Sequence, residues 1–354
     1  MLANGIHKTE DAALQLSKDE IRVEILRDLE SISTIAEKWD VLVEASICNR
    51  AFSSFTWYQK SCLIDQSLQP FVILAYRNEN LAGILPLAHH VTENQLMFPS
   101  NLCDFSDMII AKNDWEVGEV LFNYLIEIED QYKSILLKCL RTDSNIMYGI
   151  NSHLQLQKYS SYFSQITRFN CPIIELPPTI DDFLSSKSKS FRYGIKRKEQ
   201  KAKQMGFEVV LLDPNTFSAD KLPEYFLRLH EARLGEESGL VTLQDVRGFI
   251  FSAFPILFKN GTLLPFALMH NNEIMGMQIY MLGPAGLAYW NGGFDSEVSK
   301  LSPGTLIFMA AIRHTINMDL SELDLLRGEE PYKLKWNTNT RILSQFNSQN
   351  ETIL

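Results

Sequence analysis

The chain has 354 residues, of which 45% are hydrophobic, so it is long for one domain and has enough apolar side chains for two cores. Its net charge of -10 at pH 7 argues against a general nucleic-acid-binding protein. Its five cysteines are far apart and odd in number, which argues against a disulfide framework and predicts buried free thiols in a reducing compartment.

The sequence carries no signal for secretion or membrane insertion. No run approaches the roughly 20 apolar residues of a membrane-spanning helix. Residues 1–20 mix charged and small side chains without the apolar centre of a signal peptide. We therefore predict a cytoplasmic protein with a disordered tail over residues 1–20, and we expect neither a transmembrane segment nor DNA as a partner.

Strands and helices alternate in the first half of the sequence. Residues 23–63 are predicted to form a strand and two helices, and residues 70–76 and 81–87 form an antiparallel hairpin around an Asn-Glu-Asn turn. A helix over residues 115–130 and a strand over residues 134–140 follow. This order is typical of an α/β unit.

The second half repeats this order. A hairpin over residues 265–269 and 274–280 again has a Pro-Phe start, an Asn-Glu turn and a glycine in the return strand. A helix from Pro303 and a strand from Glu322 follow it. We interpret the repetition as duplication of one α/β unit with a ligand cleft between the copies, and chance agreement of short strands is the alternative.

A strand that closes with a proline pair, residues 171–178, lies between the two halves. We use it as the boundary between an N-terminal domain at 21–170 and a C-terminal domain at 171–354. A return of the last strand to the first domain is compatible with this division.

A cationic helix is predicted directly after the boundary. Residues 187–203 contain eight lysines and arginines and a single acid. Helical spacing separates a cationic face from an apolar one, and these faces comprise Lys189, Arg192, Lys196 and Lys203 on one side and Phe191, Ile195, Ala202 and Met205 on the other. We expect Arg192, Lys196 and Arg197 to contact a phosphate or sugar phosphate, and a merely solvated face is the alternative.

A Ser-Pro-Gly-Thr sequence is predicted to begin a helix in the second half. Ser302 fits the N-cap and Pro303 fits the first helical position, which leaves the N–H groups of Gly304 and Thr305 free. Such a helix start attracts an anion, whereas the alternative is an ordinary capped core helix. The next strand carries its polar side chains into the charged stretch 327–333.

Motifs of several other enzyme classes do not occur in the sequence. It has no Gly-x-x-x-x-Gly-Lys-Ser/Thr loop, no dinucleotide fingerprint after a strand and no Gly-x-Ser-x-Gly elbow. This argues against an NTPase, a dehydrogenase and a common serine hydrolase. His89 and His90 would point to opposite faces of one strand and no zinc spacing appears, so we expect no metal.

The order of these motifs resembles a known family. Four motifs carry the likeness. They are a Phe-Arg-x-x-Ile-Lys-Arg-Lys helix ending in glycine, a hairpin with a Met/Gly return strand, a Ser-Pro-Gly helix start and a closing Arg-Gly-Glu-x-x-Tyr-Lys-x-x-Trp. Together they resemble the BioF2-like or CelD-like acyltransferases of the GNAT superfamily, and they are similar to the FemAB aminoacyltransferases. The resemblance implies an α/β (α+β) fold of two tandem GNAT-like domains, each a mixed, mainly antiparallel sheet flanked by helices.

The resemblance also implies a donor site. Ser302, Pro303, Gly304 and Thr305 occupy the place where GNAT proteins bind the pyrophosphate of coenzyme A, which makes acetyl-CoA or another acyl-CoA the expected co-substrate. The usual Arg/Gln-x-x-Gly-x-Gly/Ala loop is replaced here by a sequence with one glycine fewer and no arginine. An aminoacyl-tRNA, as used by the FemAB relatives, is the alternative donor, and the cationic helix would serve it.

Four residues are candidates for the chemistry. Tyr332 and Lys333 match the aromatic-Lys pair that lies near the reacting carbonyl in the FemAB relatives. We expect Lys333 to be a cation for the oxyanion or donor phosphate, and Tyr332 to be a hydrogen-bond donor or proton source. Asp324 or Glu329 is expected to accept the amine's proton if burial raises its pKa, and a solvent-facing position is the alternative for each. Three more residues are expected to contact substrate, namely Tyr289, Asn291 and Trp336.

The expected function is therefore N-acyl transfer. An acyl group, with acetyl as the first candidate, would move from acyl-CoA to an amine of a sugar, peptide or cell-envelope precursor, as in polysaccharide biosynthesis. The alternatives are a FemAB-type aminoacyltransferase that uses aminoacyl-tRNA and a non-catalytic GNAT-like binding protein.

Overall fold

A single 13-stranded sheet joins both halves of the chain in a computed structural model that describes residues 21–99, 102–155, 163–235, 238–336 and 338–349. The tail predicted over residues 1–20 lies outside these ranges. In chain order the strands are β1 Ile21–Leu26, β2 Leu68–Arg77, β3 Asn80–His90, β4 Gln95–Met97, β5 Ile109–Ile110, β6 Ser134–Arg141, β7 Phe163–Glu175, β8 Phe207–Leu211, β9 Leu263–His270, β10 Glu273–Leu282, β11 Gly286–Phe294, β12 Glu322–Asp324 and β13 Asn339–Gln349.

Helices of between one and four turns connect these strands. They are α1 Leu29–Ser33, α2 Ala36–Ala45, α3 Phe55–Ile64, α4 Trp115–Glu127, α5 Asn145–Gln155, α6 Ile180–Ser185, α7 Lys189–Gln204, α8 Leu222–Leu234, α9 Gly239–Thr242, α10 Gln244–Lys259, α11 Pro303–Asn317 and α12 Pro331–Leu334. Short 3-10 helices lie at Glu129–Gln131, Ala219–Lys221 and Ser296–Leu301.

The sheet has the order β1-β2-β3-β4-β6-β13-β7-β12-β11-β10-β9-β8, with β5 paired to β3. Both hairpins expected from the sequence are present, as β2–β3 and β9–β10. Most neighbours are antiparallel, but each half also contains one parallel pair, β4–β6 and β11–β12, whose strands are joined through α4 and α11 respectively. The two halves therefore repeat the same strand and helix order.

Apolar side chains on both faces of the sheet bind the helices to it. In the first half, Trp39 of α2 is fully buried on one face and Leu121 of α4 on the other. In the second half, Phe254 of α10 lies in one core cluster and Ile312 of α11 in another. The predicted fold class, a mixed and mainly antiparallel sheet flanked by helices, is confirmed.

The two halves are joined by more than the sheet. Trp57 of α3 packs against Phe249 of α10, with ring centroids 4.7 Å apart. Asp104 of the first half forms an ion pair with Arg327 of the second. β13, the last strand, pairs with β6 on one side and β7 on the other. β7 itself runs through the boundary chosen between residues 170 and 171, which stays a prediction.

The cationic helix α7 forms almost as expected. The Ser188 hydroxyl accepts a hydrogen bond from the Phe191 N–H at its start, and Gly206, at a φ of +77°, follows its end. Ile195 and Ala202 are buried on the apolar face. The placement of Met205 on that face is wrong, since its side chain is 49% exposed. Met205 lies one residue beyond the helix, where helical spacing no longer sets the direction of a side chain.

Candidate active site

The strands β11 and β12 separate after a short parallel pairing, and this separation creates the candidate site. Their register covers Gly286–Ala288 against Glu322–Asp324 only, while β11 continues to Phe294. A bulge against β10 leaves Trp290 without a register partner between Tyr289 and Asn291. Ligands bind in open α/β sheets where neighbouring parallel strands end, so the gap is a natural ligand site.

A pocket of about 250 Å³ lies at this gap. Gln278 of β10 and Tyr289 of β11 line it from the sheet, and Arg233 lines it from α8. Phe308 and Trp336 also line it, and their rings stack with centroids 5.7 Å apart. The remaining lining residues include the segment expected to bind the donor, Ser302, Pro303, Gly304 and Thr305, together with Tyr332.

The start of α11 differs in detail from the expected anion site. Ser302 is the N-cap residue, but it has a left-handed backbone with φ 58° and ψ 57°, and its side chain makes no capping bond. The Thr305 N–H donates to the Ser302 carbonyl at 2.9 Å, so the expectation that this N–H is free is wrong. The left-handed turn brings the Ser302 carbonyl into the first helical turn, where it accepts this bond.

A lysine from the cationic helix approaches the same helix start. Lys198 Nζ donates to the Thr305 hydroxyl at 3.4 Å. Burial lowers the pKa of Lys198, and the neighbouring cations Lys335 and Arg197 lower it further. Because Thr305 lines the pocket, this contact brings the amino group of Lys198 to the pocket's rim.

Tyr332 is the one member of the predicted aromatic-Lys pair that reaches the pocket. Burial is the main cause that raises its pKa, and the nearby Tyr289 raises it further. Burial also raises the pKa of Tyr289, whose side chain is 4% exposed. Both phenols therefore keep their protons at neutral pH and are able to donate hydrogen bonds to a ligand.

Lys333 does not line this pocket. Its buried ammonium donates to the Arg327 carbonyl at 2.6 Å and lies 3.1 Å from a carboxylate oxygen of Glu330. Successive residues of a helical turn point about 100° apart, and in α12 Tyr332 lines the pocket while Lys333 turns toward Arg327 and Glu330. The expectation that Lys333 shares a crevice with Gly304 and Thr305 is therefore corrected.

The two candidate bases also lie away from the pocket lining. Asp324 is 2% exposed, ion-paired with Arg341, and accepts a hydrogen bond from the Leu326 N–H at 2.7 Å. Burial raises the pKa of Asp324 to about 6 despite the guanidinium. The solvent-facing alternative is thus wrong for Asp324, whereas Glu329 is exposed.

The other expected substrate contacts divide between the pocket and its surroundings. Tyr289 and Trp336 line the pocket, whereas the Asn291 side chain accepts a hydrogen bond from the Gly292 N–H at 2.8 Å. Arg192 donates to the carbonyls of Ser185 and Lys187, both at 3.2 Å, and so closes the end of α6. The remaining two cations, Lys196 and Arg197, are exposed on α7.

Sequence reasoning missed Arg233, the cation within the pocket. It donates to the Gly292 carbonyl at 3.1 Å, and its charge acts to lower the pKa of Tyr289. Its guanidinium lies 5.5 Å from the ring centroid of Phe294 and 6.0 Å from that of Tyr332. No motif marks this residue, because its role depends on where α8 crosses β11.

Comparisons with known proteins agree with this geometry. Residues 189–334 match the family model described as the acetyltransferase (GNAT) domain. The match over this segment and the fold of the chain are both consistent with the GNAT resemblance predicted from the sequence. The match supports acyltransferase activity in general. None of the curated proteins matches the chain in sequence.

Solved structures share the fold along most of the chain. FemX has a TM-score of 0.63 at 12% identity and covers 93% of this chain and 98% of its own. The C-terminal domain of a putative lysylphosphatidylglycerol synthetase from Agrobacterium fabrum has a TM-score of 0.55 at 8% identity. The likeness covers 91% of this chain and 93% of that domain. L-PGS from Bacillus licheniformis has a TM-score of 0.54 at 11% identity, and the likeness covers 89% of this chain and 92% of that one. At these identities the likeness shows the fold.

Two further observations concern metals and membranes. Among the described residues, no three His, Cys, Asp or Glu side chains come together in a way that could hold a metal ion. In the same part of the chain, no helix has the length and apolar character needed to cross a bilayer.

Proposed function

We propose that this protein is an N-acyltransferase that moves an acyl group from acyl-CoA to an amine. One observation carries the proposal: a single pocket extends from the start of α11 to Tyr332 through the gap between β11 and β12. The helix start suits the phosphates of a donor, and Tyr332 suits its reacting carbonyl. The C-terminal domain at 171–354 is the proposed catalytic domain, and the GNAT match within it supports this choice.

The donor would enter from the α11 side. The Gly304 N–H and the ammonium of Lys198 are the groups available to its phosphates, since the Thr305 N–H is occupied. The acyl carbonyl would then lie near the hydroxyls of Tyr289 and Tyr332. Protonated phenols stabilise the negative charge that develops on the carbonyl oxygen, because they are fixed hydrogen-bond donors in a site sheltered from water.

Tyr332 is the proposed acid for the leaving thiolate. Its raised pKa keeps it protonated at neutral pH, and its position in the pocket lets the hydroxyl give that proton to the sulfur as the C–S bond breaks. No carboxylate occurs among the described residues that line the pocket, so Asp324 and Glu329 are not proposed as bases. The amine would bind in its neutral form, and its excess proton would return to Tyr332.

A second candidate function is aminoacyl transfer from a charged tRNA. The exposed cations of α7, including Lys196 and Arg197, favour it, because such a surface attracts a nucleic-acid backbone. FemX, whose structure this chain resembles, belongs to the relatives for which the sequence resemblance implies such a donor. A cell-envelope or polysaccharide precursor remains the proposed kind of acceptor in either case.

The donor can be identified by thermal shift. Purified protein would be heated alone and with acetyl-CoA, longer acyl-CoAs and a charged tRNA, each at several salt concentrations. Stabilisation by the thioesters supports the first proposal, and stabilisation by tRNA that weakens with salt supports the second. Stabilisation by neither would overturn both and favour a non-catalytic binding protein.

The role of Tyr332 has its own test. We expect Tyr332→Phe to lower kcat about 10²-fold or more, because it removes the proton donor and leaves the ring in place. Tyr193→Phe is the matched control, since Tyr193 is 68% exposed on α7. Release of free thiol from acyl-CoA measures both. Turnover of Tyr332→Phe equal to that of the control would disprove the role.

A further inference from the structure

Arg233 gives the pocket a positive charge on the side opposite α11. It belongs to α8, whose side chains Phe226 and Leu229 pack in the same core cluster as α10, whereas α11 packs in the cluster on the other face of the sheet. Its guanidinium reaches the pocket beside Gly292 and Tyr332. The pocket therefore has a cationic group at each end, with the tyrosine pair between them.

Arg233 is held in place but is not neutralised by a carboxylate of the described chain. Within residues 21–99, 102–155, 163–235, 238–336 and 338–349, no Asp or Glu oxygen lies within 4.0 Å of it. The nearby carboxylate of Glu330 is bound to Lys333. Among the described residues, the guanidinium gives a hydrogen bond to the Gly292 carbonyl, which uses only part of its five N–H groups.

The setting of Arg233 suits a planar anion. The rings of Phe294 and Tyr332 flank the guanidinium, and the bond to the Gly292 carbonyl fixes its rotation. A guanidinium fixed in this way can present two parallel N–H groups, which match the two oxygens of a carboxylate. The alternative of a purely structural arginine would leave this charge facing a pocket that no carboxylate lines.

We propose that, among the precursor amines considered above, the acyl acceptor is one that carries a carboxylate, as an amino acid does, and that Arg233 binds this carboxylate. This inference rests on the proposed acyltransferase function and adds the class of acceptor. With the donor held at α11, the acceptor occupies the Arg233 end of the pocket. Its amine then lies next to its bound carboxylate and faces the acyl carbonyl at the tyrosine pair.

The transfer balances with these groups alone. The lone pair of the neutral amine forms the new C–N bond at the acyl carbon, and the C–S bond breaks with its electrons going to sulfur. Tyr332 gives its proton to the sulfur and recovers one from the acylated nitrogen. The products are an N-acyl amino acid and a free thiol, and the carboxylate on Arg233 is unchanged.

Matched pairs of amines test the proposal. In each pair the two amines differ only by the carboxylate. The pairs are alanine with ethylamine, lysine with 1,5-diaminopentane, and phenylalanine with 2-phenylethylamine. With acyl-CoA as donor, we expect kcat/KM to favour the amino acid of at least one pair by roughly 10- to 100-fold, the range for one charge-assisted contact. Arg233→Gln should bring this ratio close to one, mainly through KM, and Arg233→Lys should restore part of it.

Arg228→Gln is the matched control. Arg228 lies on the same helix and also donates to a strand carbonyl, that of Ile274 at 3.0 Å, but it does not line the pocket. It should keep the wild-type ratio. Equal rates for both members of every pair would overturn the proposal while leaving the acyltransferase function intact.

Binding without a donor separates the two proposals. Calorimetric titration of the protein with each amine should detect the amino acid and not its decarboxylated partner, and Arg233→Gln should abolish that binding. If no thioester binds but this discrimination persists, the function fails and the carboxylate site stands. If thioesters bind and the amino acids show no advantage in either assay, the carboxylate site is disproved.

Discussion

Asp324 illustrates how a single buried carboxylate can serve structure rather than catalysis. It lies on β12, and its partner Arg341 lies on β13, with β7 between the two strands. Arg341 also binds Glu322 at 2.9 Å. The guanidinium thus fixes the short strand β12 to the centre of the sheet, next to the place where β11 and β12 separate.

The raised pKa of Asp324 predicts a pH dependence of stability. Because this pKa is about 6 in the folded protein and ordinarily 3.8, the folded state holds a proton that the unfolded chain has lost. The stabilising contribution is complete below pH 4 and is lost as the pH rises to 6, by up to about 3 kcal/mol. Asp324→Asn should therefore flatten the fall in unfolding free energy across this window.

Denaturant unfolding at several pH values measures this slope. Asp107→Asn is an informative companion, because burial also raises the pKa of Asp107 to about 6. Each variant should reduce the fall of the unfolding free energy between pH 4 and pH 6 by the contribution of one carboxylate. An unaltered slope in Asp324→Asn would mean that this carboxylate does not take up a proton on folding.

Among the elements, the crossing of α8 over β11 positions Arg233 and depends on one glycine. A Cβ atom added at Gly293 would lie 2.2 Å from the backbone of Leu229. The helix therefore packs against the strand at a distance that only glycine allows. This close approach brings Arg233, one turn farther along α8, to the Gly292 carbonyl.

Gly293→Ala should destabilise the protein by about 1–3 kcal/mol or more, because α8 or β11 must move. Gly194→Ala is the control, since a Cβ there would meet nothing within 4 Å and alanine favours a helix. Thermal unfolding compares the two. A melting temperature for Gly293→Ala at or above that of Gly194→Ala would contradict the packing described.

The sequence predicted which elements form this site better than how their atoms are arranged. The helix start at Ser302 and Pro303 was recognisable because proline and serine have strong positional preferences. The left-handed backbone of Ser302 could not be recognised in the sequence, since it follows from the 3-10 helix that precedes this residue. Tyr332 and Lys333 could be placed together, but their directions depend on a short helix that the local sequence does not determine.

On the scale of the whole molecule, β13 makes the two halves one sheet. The duplicated hairpins were visible in the sequence because turn residues and strand alternation are local signals. The position of β13 between β6 and β7 is a long-range pairing, which no local pattern of its residues specifies. The division into domains at residue 170 stays a prediction, and β7 runs through it.

Removing residues 338–354 should abolish cooperative folding, because β6 and β7 would each lose their shared partner and the sheet would be interrupted at its centre. A shorter deletion of residues 350–354, which leaves β13 complete, is the control. Thermal unfolding followed by circular dichroism, with size-exclusion chromatography, distinguishes them. A sharp transition in the longer deletion would show that the halves fold without this strand.

The central position of the last strand has a consequence for synthesis in the cell. While the ribosome is still translating, β6 and β7 have left the exit tunnel but their common neighbour has not been made. The nascent chain therefore displays two open backbone edges until β13 has been made, and edges of this kind recruit other chains. A chaperone that shields these edges during translation would therefore benefit this protein more than it would benefit a protein whose strands pair in the order in which they emerge.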